Sequence, residues 1–116
     1  LYILIELGGN DALRGYPPAK VKQNLTEMIF IAKARDIKVF LMQIKIPPNY
    51  GKRYQELFES IYKDIAIDTE VELLPFMLEE VALNSKLMMR DGIHPNENAQ
   101  PLIAEYVYKS LAPLLD

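Results

Sequence analysis

The chain's one histidine lies in the run Asp91-Gly92-Ile93-His94-Pro95. An imidazole serves as a general base when one ring nitrogen is free to take a proton and the other is held by a carboxylate that fixes the tautomer. An aspartate three residues earlier, across a glycine-containing turn, can fold back to meet the ring, and Pro95 fixes the chain just after it. The same residues also fit a plain surface histidine beside a turn-forming aspartate. A metal pair is another reading, but one His and one Asp make half a site, and the chain has no second His to complete it. A second grouping is Gly8-Gly9-Asn10-Asp11. Two glycines let a backbone turn sharply off a strand and approach a ligand closely, and an asparagine amide fixed there can donate to a developing oxyanion. The alternative is an ordinary turn, since turns are built from these residue types.

A base and an oxyanion donor call for a nucleophile, and the candidates are few. Cysteine is absent, and the serines are Ser60, Ser85 and Ser110. Ser60 and Ser110 fall inside stretches with helical periodicity. Ser85 falls in a polar loop without a Gly-Asp neighbourhood, and no Gly-x-Ser-x-Gly elbow exists. A complete Ser-His-Asp set is therefore not readable from these residues.

The elements that must position the two groupings alternate. "LYILIEL" (1–7) is nearly continuously apolar and predicts a strand covered on both faces of a parallel sheet. "GGNDALRGYPP" reads as a loop. Residues 18–35 predict an amphipathic helix with Val21, Leu25, Met28, Ile29, Ile31 and Ala32 on its apolar side. "IKVFLMQIKI" (37–46) predicts a second buried strand, followed by a Pro-Pro and Gly loop. Residues 53–67 predict a second helix carrying Leu57, Phe58, Ile61, Tyr62 and Ile65 inward. A short strand over 71–76, a short helical stretch around 77–83 and a last helix over 98–112 complete the chain. This order predicts an α/β fold with right-handed crossovers, a three-layer flavodoxin-like parallel sheet with helices on both faces. In such sheets ligands bind beyond the carboxyl ends of the strands, where the unusual loops fall.

Composition narrows the classes. A chain of 116 residues, half of them hydrophobic and a quarter charged, suits one globular domain over 1–116. A net charge of -3 without a basic cluster argues against nucleic acid as a partner. No apolar run reaches the roughly 18–20 residues of a membrane span, so no stable membrane insertion is expected. The first residue is Leu1, already inside an apolar run, and a natural start upstream of it is expected.

Taken together, "ELGGNDALRG", "LMQIKIPPNYGKRY", "LLPFMLEEV" and "DGIHPNENAQPLIA" resemble the SGNH (GDSL-type) hydrolases, in their bacterial periplasmic thioesterase and lysophospholipase branch, along essentially the whole chain. The resemblance implies a serine ester or thioester hydrolase without a cofactor. It makes His94 the general base, Asp91 its orienting acid and Asn10 an oxyanion donor. It places Gly9 against the substrate and makes "ALRGYPP" (12–18), with Leu13, Arg14, Gly15 and Tyr16, the mobile loop over the acyl chain. Ile46 is either a lining residue or simply the end of a buried strand, and Met88 is either a lining or a packing residue. The nucleophile and a second oxyanion glycine belong to family blocks not found in these residues. An N-terminal strand–helix–strand of about 30 residues or more is therefore expected outside them, and without it the first strand would lie at an exposed edge. The implied substrate is a small acyl ester or thioester, and the implied compartment is periplasmic or extracellular; oligomeric state is left open. Two other classes stay in view: a pseudo-enzyme that binds acyl ligands without turnover, and a flavodoxin-like binding module in which "DGIHP" is incidental.

Overall fold

The computed structural model describes residues 1–115. The chain divides into two compact units, Leu1–Leu74 and Pro75–Asp116. The first unit is α/β. It runs β1 (Tyr2–Ile5), α1 (Gly9–Leu13), α2 (Pro18–Lys33), β2 (Lys38–Met42), α3 (Lys52–Thr69) and β3 (Glu72–Leu74). The three strands are parallel in the order β1-β2-β3, with Leu4 opposite Phe40, and Leu41 opposite both Ile5 and Leu73.

Strand alternation sorts the side chains by face. Ile5, Val39 and Leu41 join a cluster with Val21, Leu25, Ile29 and Ala32 of α2 and Phe58, Ile61, Tyr62 and Ile65 of α3. Both crossover helices therefore pack on one face of the sheet. Phe40 and Met42 are also buried but point to the opposite face, where Tyr2 stacks on Phe40 with ring centroids 6.0 Å apart.

Local chemistry sets the helix ends. Pro18 starts α2, where its missing N–H has no helical partner to lose. Gly51, at φ +92°, leads into α3. Asp36 and Glu70 take left-handed conformations after α2 and α3, and the amides of Ile37 and Val71 bond back to Ala32 O and Ala66 O at 3.1 Å each. Lys33, in the last turn of α2, donates its ammonium to the carbonyls of Thr69 and Glu70, which ties the two helix ends together.

Several expectations need correction. On α2, Met28 and Ile31 are 42% and 62% exposed, because the inward stripe follows Val21, Leu25, Ile29 and Ala32 and leaves them to one side. On α3, Leu57 is half exposed for the same reason. The run 37–46 keeps ladder geometry only to Met42, since β3 offers three residues to pair with. Past that point the Gln43 side chain bonds to Ile44 O and Glu59 O, and Ile44 and Ile46 stay buried without being strand. β1 is shorter than its apolar run and is not covered on both faces, since Tyr2 and Ile3 are each 40% exposed; in the plane of the sheet β2 is its sole neighbour among the described residues.

In the second unit, Leu78, Val81 and Ala99 form a small core with Phe76, Met77, Leu87, Met88 and Ile103 against it. Residues 77–83 form consecutive turns rather than the expected helical stretch. Short 3-10 turns at Ser85–Leu87 and Glu97–Ala99 follow, and α4 covers Gln100–Leu111, with Pro101 in its first turn. No helix among the described residues is long and apolar enough to cross a membrane.

Candidate active site

The His94 segment is a small hairpin contained in the second unit. Met88 and Pro95 form an antiparallel bridge, Met89 N–H donates to His94 O at 2.7 Å, and Asn96 N–H donates to Leu87 O at 2.9 Å. A tight turn closes it, with Gly92 N–H donating to Met89 O at 3.0 Å and Gly92 at φ +70°, where a side chain would be strained.

Aspartate is the right length for this turn, because its short side chain reaches back to amides two and three residues on. Asp91 Oδ1 accepts from Ile93 N at 2.9 Å and from His94 N at 3.0 Å, while Oδ2 meets His94 Nδ1 at 2.6 Å. The bond to the ring and the two amide bonds hold the Asp91 carboxyl down at a pKa of about 2. With Nδ1 turned to an ionised carboxylate, Nε2 is the ring nitrogen left to accept a proton. The ring is solvent-facing, at 66% side-chain exposure, so Nε2 is accessible.

Asn96 holds this hairpin, and sequence reasoning passed over it. Its Oδ1 accepts from Ala99 N at 3.2 Å, and its Nδ2 donates to Lys86 O at 2.8 Å. The available signal was an asparagine placed as the N-cap of the last helical segment. Beside the hairpin, a shallow depression of about 380 Å³ is lined by Leu83, Ser85, Met88, Met89 and Arg90.

The Asn10 segment belongs to the first unit. The expected loop contains one short helix, α1, because Ala12 is fully buried and its amide bonds to Gly8 O at 3.0 Å. Asn10 is exposed at the start of α1, and its amide side chain has no hydrogen-bond partner among the described residues. Gly9 is half-buried with Ile44 nearby. Leu13 is half-buried, whereas Arg14, Gly15 and Tyr16 are exposed. Ile46 is packed in the core, with its backbone held by the side chains of Glu59 and Gln55. Ser60 and Ser110 spend their hydroxyls on helix carbonyls, Leu57 O at 2.9 Å and Tyr106 O at 3.0 Å. No group of three or more His, Cys, Asp or Glu side chains among the described residues is placed to hold a metal ion.

Comparison with known proteins gives a consistent family. Thioesterase 1/protease 1/lysophospholipase L1 of Escherichia coli (strain K12) is 48% identical over 115 residues, which is 99% of this chain and 55% of that protein. An arylesterase of Vibrio mimicus is 50% identical over 109 residues, covering 94% of this chain and 54% of the relative. The chain thus spans about half the length of the curated relatives it matches. Among solved structures, the psychrotrophic esterase EstA from Pseudoalteromonas sp., inhibited by monoethylphosphonate, superposes with a TM-score of 0.94 at 43% identity, over 97% of this chain and 62% of that one. The family model for the GDSL-like lipases and acylhydrolases matches residues 2–100, and the chain belongs to that family.

Proposed function

We propose that this chain supplies the general base, its orienting acid and one oxyanion donor of a serine ester or thioester hydrolase. The serine itself would come from a part of the protein outside these 116 residues. The observation that carries the reading is the 2.6 Å contact between Asp91 Oδ2 and His94 Nδ1, which leaves Nε2 as the basic nitrogen. In the reaction, His94 Nε2 takes the serine proton as the hydroxyl attacks the acyl carbonyl, and Asp91 stabilises the imidazolium. The Asn10 amide donates to the tetrahedral oxyanion. Collapse returns the proton from His94 to the leaving alcohol or thiol, and water, deprotonated by the same ring, releases the acid.

Supporting the substrate class, the relatives are named thioesterase, lysophospholipase, arylesterase and esterase. Gly9, Leu13, Arg14, Gly15, Tyr16 and Ile46 are proposed to face or shape the acyl site. Export to the periplasm or medium is part of the same reading, by kinship with the family. The test is hydrolysis of p-nitrophenyl acyl esters and acyl thioesters by the full-length protein and its His94→Ala variant. Loss of activity by a factor on the order of 10³ or more is expected. Undiminished turnover in the variant would overturn the assignment, and acyl binding without turnover in the unaltered protein would favour a pseudo-enzyme.

A further inference from the structure

The segment that carries Asn10 is anchored in an unusual way. It lies between two glycines in left-handed conformations, Gly8 at φ +115° and Gly15 at φ +70°. The short helix between them buries one side chain fully, the methyl group of Ala12. So small a contact contributes little to holding five residues in place. What holds the ends is a row of aromatics on α3, spaced four apart: Tyr54, Phe58 and Tyr62. The Tyr62 hydroxyl donates to Leu7 O at 2.7 Å, immediately before Gly8. The Tyr54 hydroxyl donates to Tyr16 O at 2.6 Å, immediately after Gly15. Phe58 spaces the two tyrosines, packing edge-on to Tyr62 at 5.5 Å and parallel to Tyr54 at 6.4 Å between centroids.

We propose that Tyr62 and Tyr54 are positioning residues, Tyr62 fixing the entry of the Asn10 segment and so the aim of its amide, and Tyr54 fixing its exit and so the freedom of residues 12–18 to move. This rests on the assignment of Asn10 as an oxyanion donor. The close fit at Gly8 supports it, since a Cβ there would lie 2.0 Å from the Tyr62 hydroxyl oxygen. The backbone at the turn and the phenol are therefore fitted to one another. Burial, reinforced by the charges of Asp11 and Glu6, raises the Tyr62 pKa, which keeps the phenol protonated and donating. Burial and Asp11 raise that of Tyr54 in the same direction. A tyrosine needed only for packing would lose little on becoming phenylalanine. A tyrosine that aims Asn10 loses its effect when Asn10 is gone, so the two roles separate in a double-mutant cycle.

The experiment compares Tyr62→Phe, Tyr54→Phe, Asn10→Ala and the Asn10→Ala/Tyr62→Phe double variant in the full-length protein, using short- and long-chain p-nitrophenyl esters. Tyr62→Phe is expected to lower kcat by about ten- to a hundredfold with KM little changed, as small misplacements of an oxyanion donor do. The double variant is expected to turn over no more slowly than Asn10→Ala. Tyr54→Phe is expected to raise KM for the long-chain ester and leave the short-chain ester unaffected. An unchanged kcat in Tyr62→Phe, or losses that multiply in the double variant, would overturn the proposal. Amide exchange provides a readout independent of turnover. Faster exchange at Ala12 in Tyr62→Phe and at Tyr16 in Tyr54→Phe supports the bracing even if the unaltered protein hydrolyses nothing, an outcome that would instead fail the hydrolase reading. Unchanged exchange in both variants overturns the bracing.

Discussion

Asp91 takes three hydrogen bonds through two oxygens, and each of them favours the ionised form. Its pKa is therefore lowered from 3.8 to about 2. A carboxylate with a depressed folded-state pKa stabilises its fold above the unfolded value, and that contribution is lost as pH falls through the folded value. The hairpin should therefore keep its full benefit above pH 3.8 and lose it between 3.8 and about 2. A ¹³C NMR titration of the Asp91 carboxyl should show a midpoint at about 2 and a parallel change in the His94 amide shift; a midpoint at 3.8 would mean that the pair is not formed in solution. This pairing was legible in the sequence as one of two readings, because partners three residues apart across a glycine can meet when the turn closes. The tyrosine contacts were not. Tyr62 reaches a carbonyl 55 residues away, and its place in an apolar periodic stripe announces only burial, not what its hydroxyl touches.

Among the glycines, Gly8 in the turn from β1 into α1 has the tightest surroundings. An alanine at position 8 would need φ near +115° and would put a methyl group 2.0 Å from the Tyr62 oxygen. Backbone strain of about 1–3 kcal/mol then adds to the loss of the Leu7 bond, about 1 kcal/mol more. Gly15→Ala meets the same kind of φ but open space, and should cost only about 1–2 kcal/mol. Urea denaturation of the two variants should place Gly8→Ala well below Gly15→Ala in midpoint, and equal midpoints would show that the fit at Tyr62 is loose. The helix α1 escaped the sequence reading because one turn of helix offers too few residues for a periodic signal, and Gly, Asn and Asp all spoke for a loop. The longer helices were legible from their stripes. Their flanks, at Met28, Ile31 and Leu57, were not, since periodicity cannot say how wide a face the sheet covers.

At the scale of the 116 residues as a whole, β1 has a neighbouring strand on one side only among the described residues. Tyr2 and Ile3 are each 40% exposed on this strand. Apolar edges of this kind pair with other edges. The 116-residue chain, made on its own, should self-associate with rising concentration in sedimentation velocity, and Ile3→Lys should shift it toward monomer. A monomer at all concentrations, before and after the substitution, would count against an available edge. The parallel α/β class was legible from strand–helix alternation. The edge position of β1 was legible as a condition, a strand at an exposed edge if no further segment lies beside it, while the composition of the run 1–7 by itself reads like a strand with neighbours on both sides.

The His94 hairpin has one more consequence, and it concerns time and inheritance rather than geometry. Imidazole and carboxylate belong to a loop closed by three residues, and the bonds that shape it run between positions 86 and 99. Closing so short a loop loses little chain entropy, and contacts this local form early in folding. The contact between Asp91 and His94 is thus local, made without the long-range pairing that builds the sheet. Substitutions outside this segment leave unchanged in sequence the residues of the contact and those whose backbone bonds close the hairpin.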